Sequence, residues 1–130
     1  MLSKDLIILN TPIFFYSFVR EGERTINAYF PDARWYNYWT GQETGVKGDR
    51  EELAAPWETI NLHVKGGSIL PIQIPDVTTM DSRTNGLGLL VALDEKSEAK
   101  GELYWDEGDS INPLENGKYT LLDFEVDIKY

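Results

Sequence analysis

Twenty-two carboxylates, a single histidine and no cysteine are the chemistry-bearing side chains of this 130-residue chain. Two carboxylates about 5–10 Å apart across a sugar could hydrolyse a glycosidic bond. Acids spread along the whole sequence single out no such pair, so no catalytic residue is assigned. Any Ser-His-Asp arrangement would have to use His63. No Gly-x-Ser-x-Gly elbow accompanies it, and it falls on the polar face of a predicted strand, so a structural role is expected. Zinc requires three or four His, Cys or carboxylate ligands, which one histidine without cysteine does not supply. The loop Asp106-Glu107-Gly108-Asp109-Ser110 gathers oxygens that calcium could use, yet it lacks the regular spacing and closing glutamate of an EF-hand. It reads more simply as a solvated turn with Gly108 at positive φ. Gly66-Gly67 is followed by no helix carrying Lys-Ser/Thr, which argues for a sharp turn at a strand end rather than a phosphate loop. No cofactor or metal is therefore expected.

Aromatic side chains are the other candidates, since Trp35, Tyr36, Tyr38 and Trp39 could stack on sugar rings. In an extended strand, Trp35, Asn37 and Trp39 fall on one face and Tyr36 and Tyr38 on the other. At least one face must be core, so packing is the first explanation for these rings.

The elements that would position these residues are strands. Leu6-Ile7-Ile8-Leu9 and Ile13-Phe14-Phe15-Tyr16 are β-branched and aromatic runs separated by Asn10-Thr11-Pro12. Thr25 to Phe30 and Arg34 to Trp39 alternate apolar and polar residues around Pro31-Asp32, whereas Gln42 to Glu52 reads as a loop. Thr59 to Val64 puts Ile60, Leu62 and Val64 on one face and Asn61, His63 and Lys65 on the other. Ser68 to Ile74 resumes after Gly66-Gly67, with Pro71 pointing to an edge or a strand end. Pro75 to Gly86 is polar and without period. Leu87 to Leu93 is nearly all apolar and is expected to form a hairpin with Gly101 to Trp105, and Tyr119 to Tyr130 mostly keeps period two. No stretch offers a capped 3.6-residue stripe. The expectation is an all-β fold, an antiparallel sandwich or a barrel-like sheet pair.

One domain, or two very small ones, is the ceiling at this length. A 42% hydrophobic and 12% aromatic composition suffices for a core. Twelve Lys and Arg against 22 Asp and Glu leave a net charge of -10, which repels phosphates and makes nucleic acid and anionic membranes poor partners. Leu6 to Val19 is the most apolar stretch, but Asn10, Thr11, Pro12 and Ser17 interrupt it. It falls short of the roughly 20 apolar residues of a membrane helix, so no membrane insertion is expected, and it does not read as a signal peptide. The absence of cysteine does not fix a compartment.

Several runs, taken in order, resemble glycoside hydrolase family 31. They are Asn27-Ala28-Tyr29-Phe30-Pro31, Arg34 to Gly41, Leu53-Ala54-Ala55-Pro56, Ile60 to Pro71, Leu89 to Asp94 and Gly101 to Ser110. The resemblance covers about Thr25 to Lys118 and is strongest to the maltase-glucoamylase, sucrase-isomaltase and lysosomal acid α-glucosidase branch. It departs from the family at Asn37, where an acid is usual, at Trp39, where a tyrosine is usual, and over Phe14 to Val19, which is divergent. The resemblance implies the region after the catalytic (β/α)₈ barrel: lead-in strands over 1–24, a proximal C-terminal β-sandwich over 25–86, and the first strands of a distal β-sandwich over 87–130. The distal unit should need more strands than Leu87 to Tyr130 supplies, so a shortened chain is expected.

Family members hydrolyse α-glucosidic bonds with retention, using two aspartates on the barrel, and neither aspartate motif has a match here. The resemblance therefore implies a non-catalytic support domain whose partner is the barrel of its parent. Trp35, Tyr36, Ile60, Leu62, Val64, Ile69 and Leu70 would form its core. The alternative is a free-standing carbohydrate-binding module that contacts α-glucans through Trp39 and Trp57 with Asp106 and Asp109. For location the family implies the secretory pathway, the lysosome or the cell surface.

Overall fold

β-Branched and aromatic residues at period two become strands only where a neighbour completes their hydrogen bonds, and the pairing decides which runs qualify. A computed structural model of the chain describes residues 12–16, 22–109 and 111–129. The expected strand Leu6 to Leu9 lies outside the described residues. The elements are β1 (Ile13–Tyr16), β2 (Thr25–Phe30), β3 (Trp35–Asn37), β4 (Asp49–Ala54), β5 (Asn61–Lys65), β6 (Ser68–Gln73), a one-turn helix α1 (Thr79–Ser82), β7 (Leu87–Ala92), β8 (Glu98–Asp106) and β9 (Tyr119–Asp127). They form a three-stranded sheet ordered β1-β5-β3, a pair β2-β4, and a four-stranded sheet ordered β7-β6-β8-β9. The fold is all-β and built mainly from antiparallel pairs, as the sequence predicts; among the described residues β6 and β8 are the pair that runs parallel, with Ser68 beside Lys100.

The first two sheets make the sandwich. Ala28 and Phe30 point inward from β2 and meet Phe14 of β1 and Trp35 of β3, all four buried. Phe14 meets the Trp35 ring edge-on at 4.7 Å, and Phe30 lies 6.2 Å from Trp35. The indole Nε1 of Trp35 donates to the Pro31 carbonyl at 2.8 Å, which satisfies the one polar atom this ring brings inside.

Five local expectations are corrected. First, β4 lies partly within the stretch read as a loop. Its sequence Asp-Arg-Glu-Glu-Leu-Ala has little strand preference, but it pairs with β2 in unbroken register from Thr25↔Ala54 to Phe30↔Asp49. Second, the strand expected over Arg34 to Trp39 ends at Asn37. The Asn37 Oδ1 accepts the backbone N–H groups of Trp39 and Thr40 and turns the chain, so Trp39 does not share the buried face of Trp35. Third, β5 is buried on both faces, so Val64 is core as expected but His63 is not on a wet face. His63 pairs across from Phe14 and faces the aromatic core, only 2% exposed, while Ile60 lies before the strand and is 58% exposed. Val64 on the opposite face is also fully buried, facing Leu90 and Val91 of the third sheet across the junction. Fourth, β7 and β8 form no hairpin, since β6 lies between them. Fifth, Pro75 to Gly86 includes α1, started by Thr78, whose hydroxyl accepts the Asp81 N–H.

Gly66 and Gly67 carry the chain from the sandwich into the third sheet. A Cβ on Gly66 would stand 2.8 Å from the Leu93 carbonyl oxygen and 3.0 Å from the Arg34 Cβ. Gly67 has φ +87°, a conformation that strains a side chain. Backbone bonds from Gly66 N–H to Arg34 O and from Gly67 N–H to Ala92 O, each 2.8 Å, lock the joint. Because β6 hydrogen-bonds to β7, the third sheet runs across residue 86, the expected end of the proximal unit.

Candidate functional site

Three places could do work: the junction between the sandwich and the third sheet, an exposed aromatic end of the sandwich, and the acidic loop after β8. Arg34, just before β3, organises the junction. Its Nε and Nη2 donate to both Glu43 carboxylate oxygens at 2.9 and 2.6 Å, while Nη1 donates to the Asp94 carbonyl at 3.0 Å. The guanidinium also lies 5.4 Å from the centre of the Tyr36 ring. Tyr36 spans the same gap, donating its hydroxyl to the Leu93 carbonyl at 2.8 Å. Lys47 pairs with Glu95, tying the glycine-rich loop to the turn between β7 and β8.

The electrostatics of the junction are those of satisfied charges. The hydrogen bond from Arg34 holds the Glu43 carboxyl below the usual carboxylate range, and that same bond raises Arg34. Backbone N–H groups, that of Glu98 first, hold Asp94 low. Burial pushes the Tyr36 hydroxyl up. A groove of about 400 Å³ runs between Tyr36, Tyr38 and Val64 on one side and Leu90 and Val91 on the other. A second cleft of about 370 Å³ is lined by the paired Arg34, Glu43, Lys47 and Glu95. Groups that hold one another in this way are poorly placed to take or give a proton, and the arrangement is suited to fixing two sheets together. Nothing in the sequence marked Arg34 or Gly66 as a joint; the nearest signal was the Gly-Gly doublet at a strand end.

The aromatic end places Trp39 and Trp57 largely in solvent, 60% and 63% exposed. The Trp39 indole Nε1 donates to the Ile60 carbonyl at 2.9 Å, and the ring meets Tyr38 edge-on at 5.1 Å. Arg24 lies 5.2 Å from the centre of the Trp57 ring. Trp39 and Trp57 therefore fold as anchored, wet surface residues. Asp106 and Asp109, the other predicted sugar contacts, belong to the third sheet's end instead. The Asp106 Oδ1 accepts the Gly108 N–H at 2.9 Å, and its carbonyl accepts from Arg83, which lies 4.4 Å from the centre of the Trp105 ring. Gly108 has φ +86°, as the turn reading anticipates. Lys118 pairs with Glu107 at 3.6 Å. Among the described residues, no three His, Cys, Asp or Glu side chains gather as metal ligands.

His63 sits in the core with its ring 4.9 Å from Phe30 and 6.1 Å from Tyr16. Its Nδ1 is buried and has no hydrogen-bond partner, and burial lowers the imidazole pKa. The Tyr16 hydroxyl donates to the Tyr29 carbonyl, and burial pushes its pKa up to about 12.

Comparison with known proteins places this geometry. The sequence pattern of the glycosyl hydrolase family 31 C-terminal domain matches residues 3–70. Human intestinal sucrase-isomaltase is 44% identical over 119 residues, covering 92% of this chain and 6% of that protein. The probable maltase-glucoamylase 2 of Homo sapiens is 52% identical over 99 residues, covering 76% of this chain and 4% of that protein. Among solved structures, the Tris-bound glucosidase II α subunit aligns with a TM-score of 0.83 at 28% identity, covering 91% of this chain and 13% of that one. The 130 residues thus correspond to a small part of each of these longer chains. With just over half of its length inside the family's C-terminal domain pattern, the chain belongs to glycosyl hydrolase family 31.

Proposed function

We propose that these residues are a non-catalytic support unit of an α-glucoside-hydrolysing parent, and that they buttress its (β/α)₈ barrel in cis. The observation that carries this reading is one of extent: nearly all of this chain, 91%, aligns to only 13% of the glucosidase II α chain. A segment of that size contributes surface and rigidity. Apolar side chains left in water at the sandwich support it: Phe15, on the face of β1 away from the aromatic core, is 52% exposed, and Ile60 is 58% exposed. Such side chains mark a surface that another body covers. Within the unit, we place the handover from proximal sandwich to distal sheet at Gly66 and Gly67, because β6 pairs with β7 and β8.

Assaying the purified chain on maltose and on a chromogenic α-glucoside tests the central point. Background rates support the reading, and turnover that disappears when a carboxylate of this chain is replaced overturns it. A carbohydrate-binding module is the second reading, favoured by the exposed rings of Trp39 and Trp57. Titrating malto-oligosaccharides against tryptophan fluorescence separates the two. A saturable change that is lost in Trp39→Ala or Trp57→Ala supports the module, and a flat titration removes it.

A further inference from the structure

Two asparagines are followed directly by glycine: Asn85-Gly86, between α1 and β7, and Asn116-Gly117, between β8 and β9. Asparagine is among the thermolabile residues. Its side-chain carbonyl carbon is an electrophile that the next backbone nitrogen can reach in a five-membered ring, and glycine, having no side chain, crowds that closure least. The structure treats the two sites differently. The difference lies in the peptide group whose nitrogen would attack.

At Asn85 that peptide group is set up to lose its proton. From the end of β6, the Gln73 Nε2 donates to the Asn85 carbonyl oxygen at 2.6 Å in a partly buried bond. Removing the Gly86 amide proton leaves a negative charge shared with that same oxygen, so a donor already aimed at it stabilises the anion. Among the described residues the Gly86 N–H donates to no carbonyl, and no bond has to break before the proton leaves. Gly86 is exposed, and a Cβ there would meet nothing within 4 Å, so base and water have access. Asn116 has the opposite arrangement. The Gly117 N–H donates to the Leu114 carbonyl at 3.4 Å, and the Asn116 carbonyl accepts no hydrogen bond among the described residues. Both side-chain amides are held, Asn85 Nδ2 to the Ile74 carbonyl at 2.9 Å and Asn116 Nδ2 to the Ile111 carbonyl at 3.1 Å, so that contact does not separate the sites.

We propose that Asn85 is a site of spontaneous covalent modification and that Gln73 promotes it. Hydroxide takes the Gly86 amide proton, the nitrogen forms a bond to the Asn85 Cγ, and the Cγ–Nδ2 bond breaks as Nδ2 takes a proton from water and leaves as ammonia. Water then opens the cyclic imide at either of its carbonyls, which leaves a carboxylate at position 85 on a normal or a β-linked backbone. No oxidant or reductant takes part. The product has lost the donor to the Ile74 carbonyl and sets an acceptor against an acceptor. Because Asn85 is bonded to both Gln73 and Ile74, the reaction loosens the segment 75–85 where it meets the end of β6.

The test incubates the whole chain in mildly alkaline buffer and follows both asparagines in the same sample by peptide mapping and mass spectrometry, with Asn116 as the internal clock. Asn85 should convert about tenfold or more faster than Asn116 in the folded chain. In guanidinium, where the Gln73 contact is gone, the two should convert at similar rates. Gln73→Met should slow Asn85 about tenfold and leave Asn116 unchanged. Asn85→Asp, which installs the carboxylate directly, should speed amide exchange at 82–85. Conversion of Asn85 no faster than Asn116 in the folded chain overturns the proposal. A Gln73→Met protein that converts at the original rate or faster overturns the role of Gln73, and unchanged exchange in Asn85→Asp overturns the loosening.

Discussion

Replacing Gly101 by alanine probes the contact that holds the third sheet together. Gly101 lies in β8 opposite Phe124 and against Ile69 of β6. An added methyl group would stand 2.1 Å from the Ile69 carbonyl oxygen, 2.9 Å from its carbonyl carbon and 2.9 Å from its Cβ. A carbon and a carbonyl oxygen rest no closer than about 3.3 Å, so β6 and β8 must separate by roughly 1 Å. Both contacts at the oxygen and the carbon are backbone, which cannot rotate away. Forcing excess volume into a packed site costs about 1–3 kcal/mol. Separation of the strands also endangers the bond from Lys100 N–H to Gly67 O, 3.1 Å long, and bonds of this kind are worth about 1 kcal/mol each. The sum is about 2–4 kcal/mol, a large share of the about 5–15 kcal/mol available to a domain. The matched control is Gly86→Ala, where nothing lies within 4 Å and φ is ordinary; it should change stability by less than about 1 kcal/mol. Urea unfolding followed by tryptophan fluorescence gives both values. Amide exchange should show protection lost in β6 but kept between β8 and β9, whose register does not involve Ile69. If Gly101→Ala lies within about 1 kcal/mol of Gly86→Ala, the close approach of β6 and β8 is wrong.

Two further substitutions read other parts of the structure. His63 is neutral in the fold, with its pKa below the ordinary value of about 6.5, so on acidification the unfolded chain takes a proton that the folded chain refuses. Stability should be unaffected by this group above about pH 7 and should fall as pH drops through about 6.5, by at most about 1.4 kcal/mol per unit. His63→Leu should flatten that segment of the profile, and urea midpoints that slope equally in both proteins would refute the assignment. Tyr36→Phe removes the donor to the Leu93 carbonyl and should cost about 1 kcal/mol while leaving the sandwich core intact, as near-ultraviolet circular dichroism would show.

The sequence carried the fold class because β-branched and aromatic runs at about ten-residue spacing leave few alternatives, and it carried β2 in detail because Ile26, Ala28 and Phe30 alternate cleanly inward. It failed at β5 and β4 for two different tertiary reasons. Polarity of a residue predicts its face only when one side of the strand meets water, and β5 has Phe14 and Tyr36 as neighbours on its two flanks, with a covered face on each side. His63 is therefore buried against the polarity of its own face, while the charged β4 is a strand solely because β2 supplies its partners. The candidate site fared similarly. Exposure of Trp39 and Trp57 was legible as aromatic content near turns, but the Arg34 joint depends on carbonyls of Leu93 and Asp94 roughly 60 residues away, which no local pattern encodes.

Acidity and exposed apolar surface are two halves of one physical situation in the third sheet. Pro71 and Leu89, Ile69 and Val91, and Leu103 and Leu122 pair across neighbouring strands. Leu89, Val91 and Leu122 among them are each at least 40% exposed. Left in water, a face of this kind drives association, because burying each leucine or valine is worth about 1.5–3 kcal/mol. Charge lies on the other side of the sheet: β8 and β9 set four carboxylates, Glu98, Glu102, Asp123 and Asp127, on the reverse face in like-charged pairs. Like charges directly opposite weaken strand pairing and favour hydration. The reverse face therefore stays wet, and the apolar face is the one with free energy to gain from a covering surface.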